Sequence, residues 1–395
     1  ISTVSILGIA TATKFIGDIE GGVTGNVTGS SGSCTGNAAT ATVASGITTT
    51  ASVNTSGIVT ATSFVGSTPL SHRNVIINGA AMVAQRGDTT SGATTGGYAT
   101  DRFQAVQNES GTITISQDSD APSGFRKCHR LTQTTAQGSL AANDLTTFRY
   151  NAEGYDVQRF KKGTSDAEQF TVSFWVKSVD QSSYPVTYIL ELRDPVNTRS
   201  CCKAYTVTAS NTWEYKTITF PADTTGQWAT DNSKSLEMNW FVCAGSNYTS
   251  GTLSTTWAGT VTANRAAGLT ANLSANTANR FFLTGVQLEV GPVATPFEHR
   301  SFGDELRRCQ RYYQRWKGHS DHNGIGPGRG NGSAGVFVSV NLMQCLRATP
   351  SITNSGIVVF KAGASSTSTS NTPSLTNASA FDSTSCIFPM NITGL

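Results

Sequence analysis

Hydrophobic positions along most of this chain recur every second residue, the period of half-buried strands, and change to a helical spacing at one place. In 170–176, Phe170, Val172, Phe174 and Val176 fall on one side and Thr171, Ser173 and Trp175 on the other, as a sheet with one face in a core requires. Comparable runs at 74–79, 102–107, 112–117, 126–132, 186–192, 204–208, 213–220, 236–243 and 281–290 are separated by turn-forming residues. Short strands spaced this way predict a β-sandwich. Its closing run alternates Val286, Leu288 and Val290 with Gln287 and Glu289, and Gly291-Pro292 stops it. Ser301 then occupies a helix N-cap position, with Asp304 and Glu305 in the first turn where the macrodipole favours acids. Phe302, Leu306, Cys309, Tyr313 and Trp316 follow at spacings of four, three, four and three, which predicts a helical seam over 301–317. A helix this short does not stand alone, so the seam is expected to face copies of itself in a trimer.

The sequence on either side has another texture. Over 1–72, Gly8-Ile-Ala-Thr-Ala-Thr-Lys-Phe-Ile-Gly17 returns 49 residues later as Gly57-Ile-Val-Thr-Ala-Thr-Ser-Phe-Val-Gly66, with Val23-Thr-Gly-Asn-Val-Thr-Gly29 between them. No charge interrupts the stretch from Gly21 to His72. A single chain of this composition buries too little apolar surface to offset its ordering entropy. Two readings follow: a flexible linker, or a shaft of intertwined copies with the isolated Val, Ile and Phe residues turned inward. The recurring apolar positions favour the shaft. Beyond the helix, 336–342, 357–361 and 385–388 read as strands, and 324–332 and 362–378 as loops, giving a small β tip domain expected over 318–395, complete or incomplete. The expected fold is mainly β: repeat shaft (1–72), sandwich (73–300), helix seam (301–317) and tip.

Composition narrows the function. Charged residues make up 13% of the 395, about half the usual share, and Thr, Ser, Gly and Asn fill the gap. Such a balance fits a β-rich extracellular or virion surface better than a cytosolic enzyme. A net charge of +3, without sign asymmetry outside the helix, argues against nucleic acid as a partner, and no apolar run approaches membrane length. Because the chain begins with Ile1, it is read as part of a longer polypeptide. The eight cysteines, Cys34, Cys128, Cys201, Cys202, Cys243, Cys309, Cys345 and Cys386, lack CxxC spacing and are expected to be reduced and half-buried.

Catalytic chemistry finds little support. Glu153 and Asp156 are an acidic pair, but 151–156 reads as a turn, and no GxSxG elbow surrounds a serine. His319 and His322 flank Asp321 and are the candidate metal ligands, although a spacing of three in a Gly-rich loop fits solvated histidines better, so no metal or other cofactor is expected. Arg86-Gly-Asp88 spells an adhesion tripeptide that is short enough to arise by chance. Tyr98, Tyr184, Trp228, Tyr248 and Trp257 lie in polar, turn-rich surroundings, where rings could stack on sugar faces while nearby Asn and Thr bond the hydroxyls. These five are the candidate glycan-binding residues, and core packing is the competing role for each.

Three groups of residues resemble tail-fibre proteins of bacteriophages, in particular phages of marine cyanobacteria. They are the two shaft repeats; Asn74-Val-Ile-Ile-Asn-Gly79 with Val83-Ala-Gln-Arg-Gly87 and Tyr98-Ala-Thr-Asp-Arg-Phe103; and Gly285-Val-Gln-Leu-Glu-Val-Gly291 followed by Ala294-Thr-Pro-Phe-Glu-His-Arg300 and Cys309-Gln-Arg-Tyr-Tyr313. The last group is the most specific. This resemblance implies a homotrimeric virion fibre with a jelly-roll-like carbohydrate-binding domain, attached to other tail proteins at its N-terminal side and binding host surface polysaccharide. It carries over no catalytic residues. The alternatives are a polysaccharide depolymerase spike and a structural fibre segment without receptor contact.

Overall fold

The computed structural model describes residues 72–87, 89–93, 97–179, 183–316, 328–330, 335–348, 357–360, 367–370, 372–375 and 387–393. The shaft repeats, Cys34, Asp88, His319, His322 and Cys386 lie outside them, as does much of the expected tip.

Twelve strands build the central body: β1 (Thr89–Ala93), β2 (Phe103–Asn108), β3 (Thr112–Asp118), β4 (Cys128–Thr135), β5 (Leu145–Glu153), β6 (Phe170–Val179), β7 (Val186–Asp194), β8 (Arg199–Val207), β9 (Glu214–Phe220), β10 (Lys234–Ala244), β11 (Ala258–Gly259) and β12 (Arg280–Val290). They form two six-stranded antiparallel sheets, in the orders β1-β3-β4-β12-β6-β9 and β11-β8-β7-β10-β5-β2. The expected sandwich is therefore present. Its core comes from the alternation that marks the strands: Phe170, Val172, Phe174 and Val176 of β6 meet Trp240, Tyr205 and Leu190 from the opposite sheet. Phe174 and Trp240 pack edge to face at 5.9 Å.

Two expectations about strands need correction. Residues 151–153, which read as part of a turn, are the C-terminal end of β5, which pairs with β10 along its length and with β2 over most of it. Residues 74–79, expected to be a strand, form an irregular segment bonded to β12 instead: Val75 N–H donates to Leu288 O and Val286 N–H to Gly79 O, both at 3.0 Å. A Cβ on Gly79 would sit 2.1 Å from the Val286 carbonyl oxygen, so only glycine permits this approach. Asn74 completes the contact by accepting from the Leu288 N–H and donating to the Val286 carbonyl.

Beyond the sandwich, β13 (Gly328–Gly330), β14 (Gly335–Asn341), β17 (Thr372–Leu375) and β18 (Ile387–Thr393) make a four-stranded sheet, and β15 (Ile357–Phe360) pairs with β16 (Thr367–Ser370). β13, β16 and β17 fall in stretches that read from sequence as loops, where Gly, Ser and Thr mask the strand pattern. Cys128, Cys201, Cys202, Cys243 and Cys309 are free and buried, whereas Cys345 is disulfide-bonded, contrary to expectation.

One ionic feature lies wholly inside the sandwich. The Lys162 side chain is 0% exposed, and its ammonium donates to Asp194 Oδ2 (2.7 Å) and to the carbonyls of Thr225 (3.0 Å) and Gly226 (2.7 Å), with Asp223 Oδ2 at 3.1 Å. Trp228 and Trp257 flank it, 5.7 and 5.3 Å away. Arg199 holds Asp223 with two further bonds of 2.9 Å. Burial alone would raise the Asp223 pKa, but Arg199 and Lys162 hold it below the usual aspartate value.

Removing one member of such a group leaves buried charge uncompensated. Lys162→Met should lower unfolding stability by about 3–5 kcal/mol in urea titrations at neutral pH. Because the folded pKa of Asp223 is depressed, its contribution is full above the ordinary aspartate value, about 3.9, and is lost as pH falls through the folded value. The part of the acid-induced loss of stability that comes from Asp223 should accordingly be smaller in Lys162→Met than in the parent, giving a shallower acid limb; acid limbs of equal slope would show that Lys162 does not hold the Asp223 pKa down.

Candidate functional site

In the second sheet Tyr150, Leu190, Leu192, Met238 and Trp240 point into the core, so the residues between them face outward. Strand register sorts that outer face into rows. One row is Val106, Thr147, Phe241, Ile189 and Ala204. The next is Gln104, Arg149, Asn239, Glu191 and Cys202, and a third holds Asn151, Glu237, Arg193 and Ser200. The chain after β10 folds back over the apolar side, placing Tyr248, Leu253 and Ala266 against Phe241, Ile189 and Cys202.

The polar rows are tied to each other. Arg149 Nε donates to Asn239 Oδ1 (2.6 Å), Asn239 Nδ2 donates to Glu191 Oε2 (2.9 Å), and Arg265 grips both Glu191 oxygens at 2.6 Å. Glu237 lies 2.9 Å from Arg193, 3.7 Å from Arg149, and also accepts from Lys234. The charges are layered: Glu191 and Glu237 are 0% and 1% exposed, while Arg193 and Lys234 are 29% and 45% exposed. Burial would raise the Glu237 pKa, but Arg149, Lys234 and Arg193 hold it below the usual range. Burial lowers that of Arg149, opposed by Glu237. The carboxylates therefore form a floor, and a ligand would meet guanidinium and ammonium groups first.

At its Lys234 end this face opens into a cleft of about 230 Å³, with Asn151 and Lys234 belonging to both. Arg86 and Tyr98 wall it from the segment before β2, Glu153 from β5, Tyr312 and Tyr313 from beyond the helix, and Arg347 from the segment after β14. Tyr98 joins cleft to face, since its hydroxyl donates to Gln104. Two arginines are held between tyrosines: Arg86 lies 3.7 Å from the Tyr313 ring and 4.7 Å from Tyr98, and Arg102 lies 3.4 Å from Tyr312 and 4.9 Å from Tyr150. Although burial disfavours the charge on Arg102, Tyr150 and Tyr312 around it raise its pKa. Its backbone is left-handed, at φ 73°, a conformation that costs a side-chain-bearing residue about 1–3 kcal/mol.

The helix, α1, runs Phe302–Gln310, capped at Ser301 as expected, since the Ser301 hydroxyl accepts from the Asp304 N–H at 3.2 Å. It stops short of 317. Tyr312 and Tyr313 N–H both turn back onto Cys309 O, and the chain then leaves so that Arg311 makes two bonds to Glu153, 2.7 and 2.9 Å, while the Tyr312 hydroxyl donates to the same carboxylate. Within the chain the expected seam packs on its own sandwich: Cys309 is buried with Ile77 and Val83, and Leu306 packs beside it. Tyr313 covers Arg86, Trp316 is half-buried, and Phe302 is 55% exposed.

The glycan candidates divide. Tyr98 stands in the cleft, and Tyr248 lies on the loop covering the apolar row, 5.8 Å from Arg265. Trp228 and Trp257 are 5% and 9% exposed and belong to the core beside Lys162, and Tyr184 packs on that core with its hydroxyl 3.0 Å from Ser178. Trp228 and Trp257 thus pack in the core, and Tyr184 is half-buried against it. Of the acidic pair, Glu153 is committed to Arg311, and burial raises the Asp156 pKa. Arg86 of the tripeptide is bonded to Asp101 at 2.9 Å. Sequence reasoning missed Arg149, Arg193, Asn239 and Arg265; the alternation Phe148-x-Tyr150-x-Ala152 could have exposed the first.

No protein-family model and no curated protein matches this chain. Solved structures similar to it include the enzymatically active domain of bacteriophage CBA120 tailspike protein 4, at 11% identity and TM-score 0.29, over 55% of this chain and 21% of that one. A CBM4 structure matches at 11% identity and TM-score 0.28, over 54% of this chain and 98% of its own. The C-terminal family 22 carbohydrate binding module of Clostridium thermocellum Xyn10B matches at 8% identity and TM-score 0.28, over 49% of this chain and 89% of its own. Likeness this distant says nothing of what the chain binds.

The Arg311–Glu153 pair is the clearest anchor of the helix on β5. Arg311→Gln should cost about 1–3 kcal/mol and speed amide hydrogen exchange across 302–313 more than in β5 or β10; unchanged exchange there would assign the docking to the Cys309 contacts alone.

Proposed function

We propose that this chain is the subunit of a virion tail fibre, a non-enzymatic homotrimeric adhesin that binds host surface glycan through the outer face of its second sheet. The observation that carries the reading is the pair of polar rows, in which buried Asn239 and Glu191 fix Arg149 and, from the covering loop, Arg265 at 2.6–2.9 Å, while Arg193 and Lys234 stand more exposed above Glu237. Saccharide recognition requires planar donors and acceptors held in a fixed array, beside rings that pack against apolar sugar faces. Tyr98 supplies such a ring where the face meets the cleft. An array already locked by internal bonds loses little entropy on binding. The resemblance of the shaft repeats and of the 285–313 stretch to phage fibres adds the setting, including attachment to other tail proteins at the N-terminal side. Weak single sites in three chains then gain strength from effective concentration. The commitment of Glu153 to Arg311 and Tyr312 favours binding over cleavage, because it removes one member of the acidic pair from proton transfer.

Arg193 and Lys234 are the most exposed cations of the face, so exchanging both for glutamine tests it with least disturbance to the fold. Titration calorimetry with purified host envelope polysaccharide, at a temperature where both proteins are folded, should show affinity reduced about tenfold in this double variant, whose thermal unfolding midpoint falls because Glu237 keeps only Arg149. Undiminished affinity would move the site off this face. Steady release of oligosaccharide from the polysaccharide would remove the non-enzymatic part of the proposal, and a monomeric mass under native conditions the trimeric part.

A further inference from the structure

Charge in the cleft is unbalanced in a way that the ionic groups of the sandwich are not. There the inward cations have carboxylates: Lys162 has Asp194 and Asp223, Arg265 has Glu191, and Arg199 has Asp223. The cleft is lined by Arg86, Arg102, Lys234 and Arg347 against Asp101 and Glu153. Both acids are already engaged, Asp101 by Arg86 at 2.9 Å and Glu153 by Arg311, which adds a further cation at the rim. Lys234 shares Glu237 with two arginines. Among the described residues neither Arg102 nor Arg347 has a carboxylate within ion-pair distance, Asp156 acting on Arg102 only from farther away: Arg102 donates to the Asn151 carbonyl and Arg347 to the Asn232 carbonyl, the latter at 2.8 Å.

Holding two such cations together is unfavourable by itself. The chain nevertheless fixes both. Arg102 is kept between two tyrosine rings on a left-handed backbone, and Arg347 is locked by reciprocal bonds, because Asn232 donates back to the Arg347 carbonyl and the Arg347 N–H donates to Arg311 O at 2.9 Å. The guanidiniums are thus positioned before any ligand arrives, and the deficit of negative charge is left for the ligand to supply. The rings of Tyr98, Tyr312 and Tyr313 bound the space.

We infer that the cleft receives an anionic substituent of the bound saccharide, a carboxylate or a sulfate ester, between Arg102, Arg347 and Lys234, so that the ligand is an acidic polysaccharide. This rests on the glycan-binding reading above and narrows it to a chemical class. A carboxylate and a sulfate ester both present paired oxygens to a guanidinium, which binds them through two parallel donors. The neutral part of the chain would then lie along the polar rows, which continue from the cleft through Asn151 and Lys234.

The test compares three polymers, polygalacturonate, dextran sulfate and neutral dextran, together with purified host envelope polysaccharide, by titration calorimetry against the full chain and against Arg347→Gln and Arg102→Gln. Binding to the host polysaccharide and to at least one anionic polymer, with neutral dextran much weaker, is the expected result; which anionic polymer binds identifies carboxylate or sulfate as the group recognised. Arg347→Gln should weaken the anionic interaction about tenfold or more and flatten its dependence on salt. Arg347 is only part-buried, so this variant keeps the test usable if Arg102→Gln unfolds. Equal binding of neutral and anionic polymers, or an Arg347→Gln variant that binds as the parent does, overturns the inference and leaves the glycan reading standing. Failure to bind the host polysaccharide or any of the three polymers overturns both.

Discussion

Strand β12 is bonded on both edges within the first sheet, to β4 and to β6, and again to the irregular segment 74–79 that precedes β1. The sandwich thus closes on its own beginning. The segment is fixed further by Arg300, which donates to the carbonyls of Asn74 and Ile76, and by Glu298, which accepts from the Asn74 N–H at 2.8 Å. Glu305 of the helix accepts from the Asn78 N–H, so the helix rests on the same segment. Without the glycine at 79 the approach to β12 is sterically closed, and with it go the seat of the helix and the wall of the cleft.

The outer face of the second sheet follows a different rule. Buried carboxylates are costly unless paired, and Glu191 and Glu237 are paired by arginines that reach over them. The same pairing leaves the cations uppermost. Rigidity and surface charge therefore have one cause: the bonds that satisfy the floor also orient the groups above it.

Much of the sandwich was legible because its strands alternate cleanly, as at Phe170 to Val176 and Val286 to Val290. The end of β5 was not, because Asn151, Glu153 and Gly154 carry turn chemistry while the inward Phe148, Tyr150 and Ala152 are separated by Arg149 and Asn151 on the open side. The polar face was hidden for a related reason: its rows are assembled from residues far apart in sequence and exist only once register is set. The N-cap at Ser301 could be read locally, whereas the end of the helix depends on Glu153, whose bond to Arg311 spans 158 residues. Trp228 and Trp257 read as candidate sugar-stacking rings because their sequence neighbours are polar, and their packing on Phe160 and Phe170 leaves no local trace.

Lys162 occupies a cage of two carboxylates and two carbonyls, a set of hard oxygen donors of the kind that also suits a divalent ion. Here the positive charge is part of the polypeptide. Its local concentration is set by a covalent tether and does not fall on dilution, and no chelator can withdraw it. With Arg199 as the second cation against the two carboxylates, the neutrality of this group is consequently independent of the mineral content of the surrounding water.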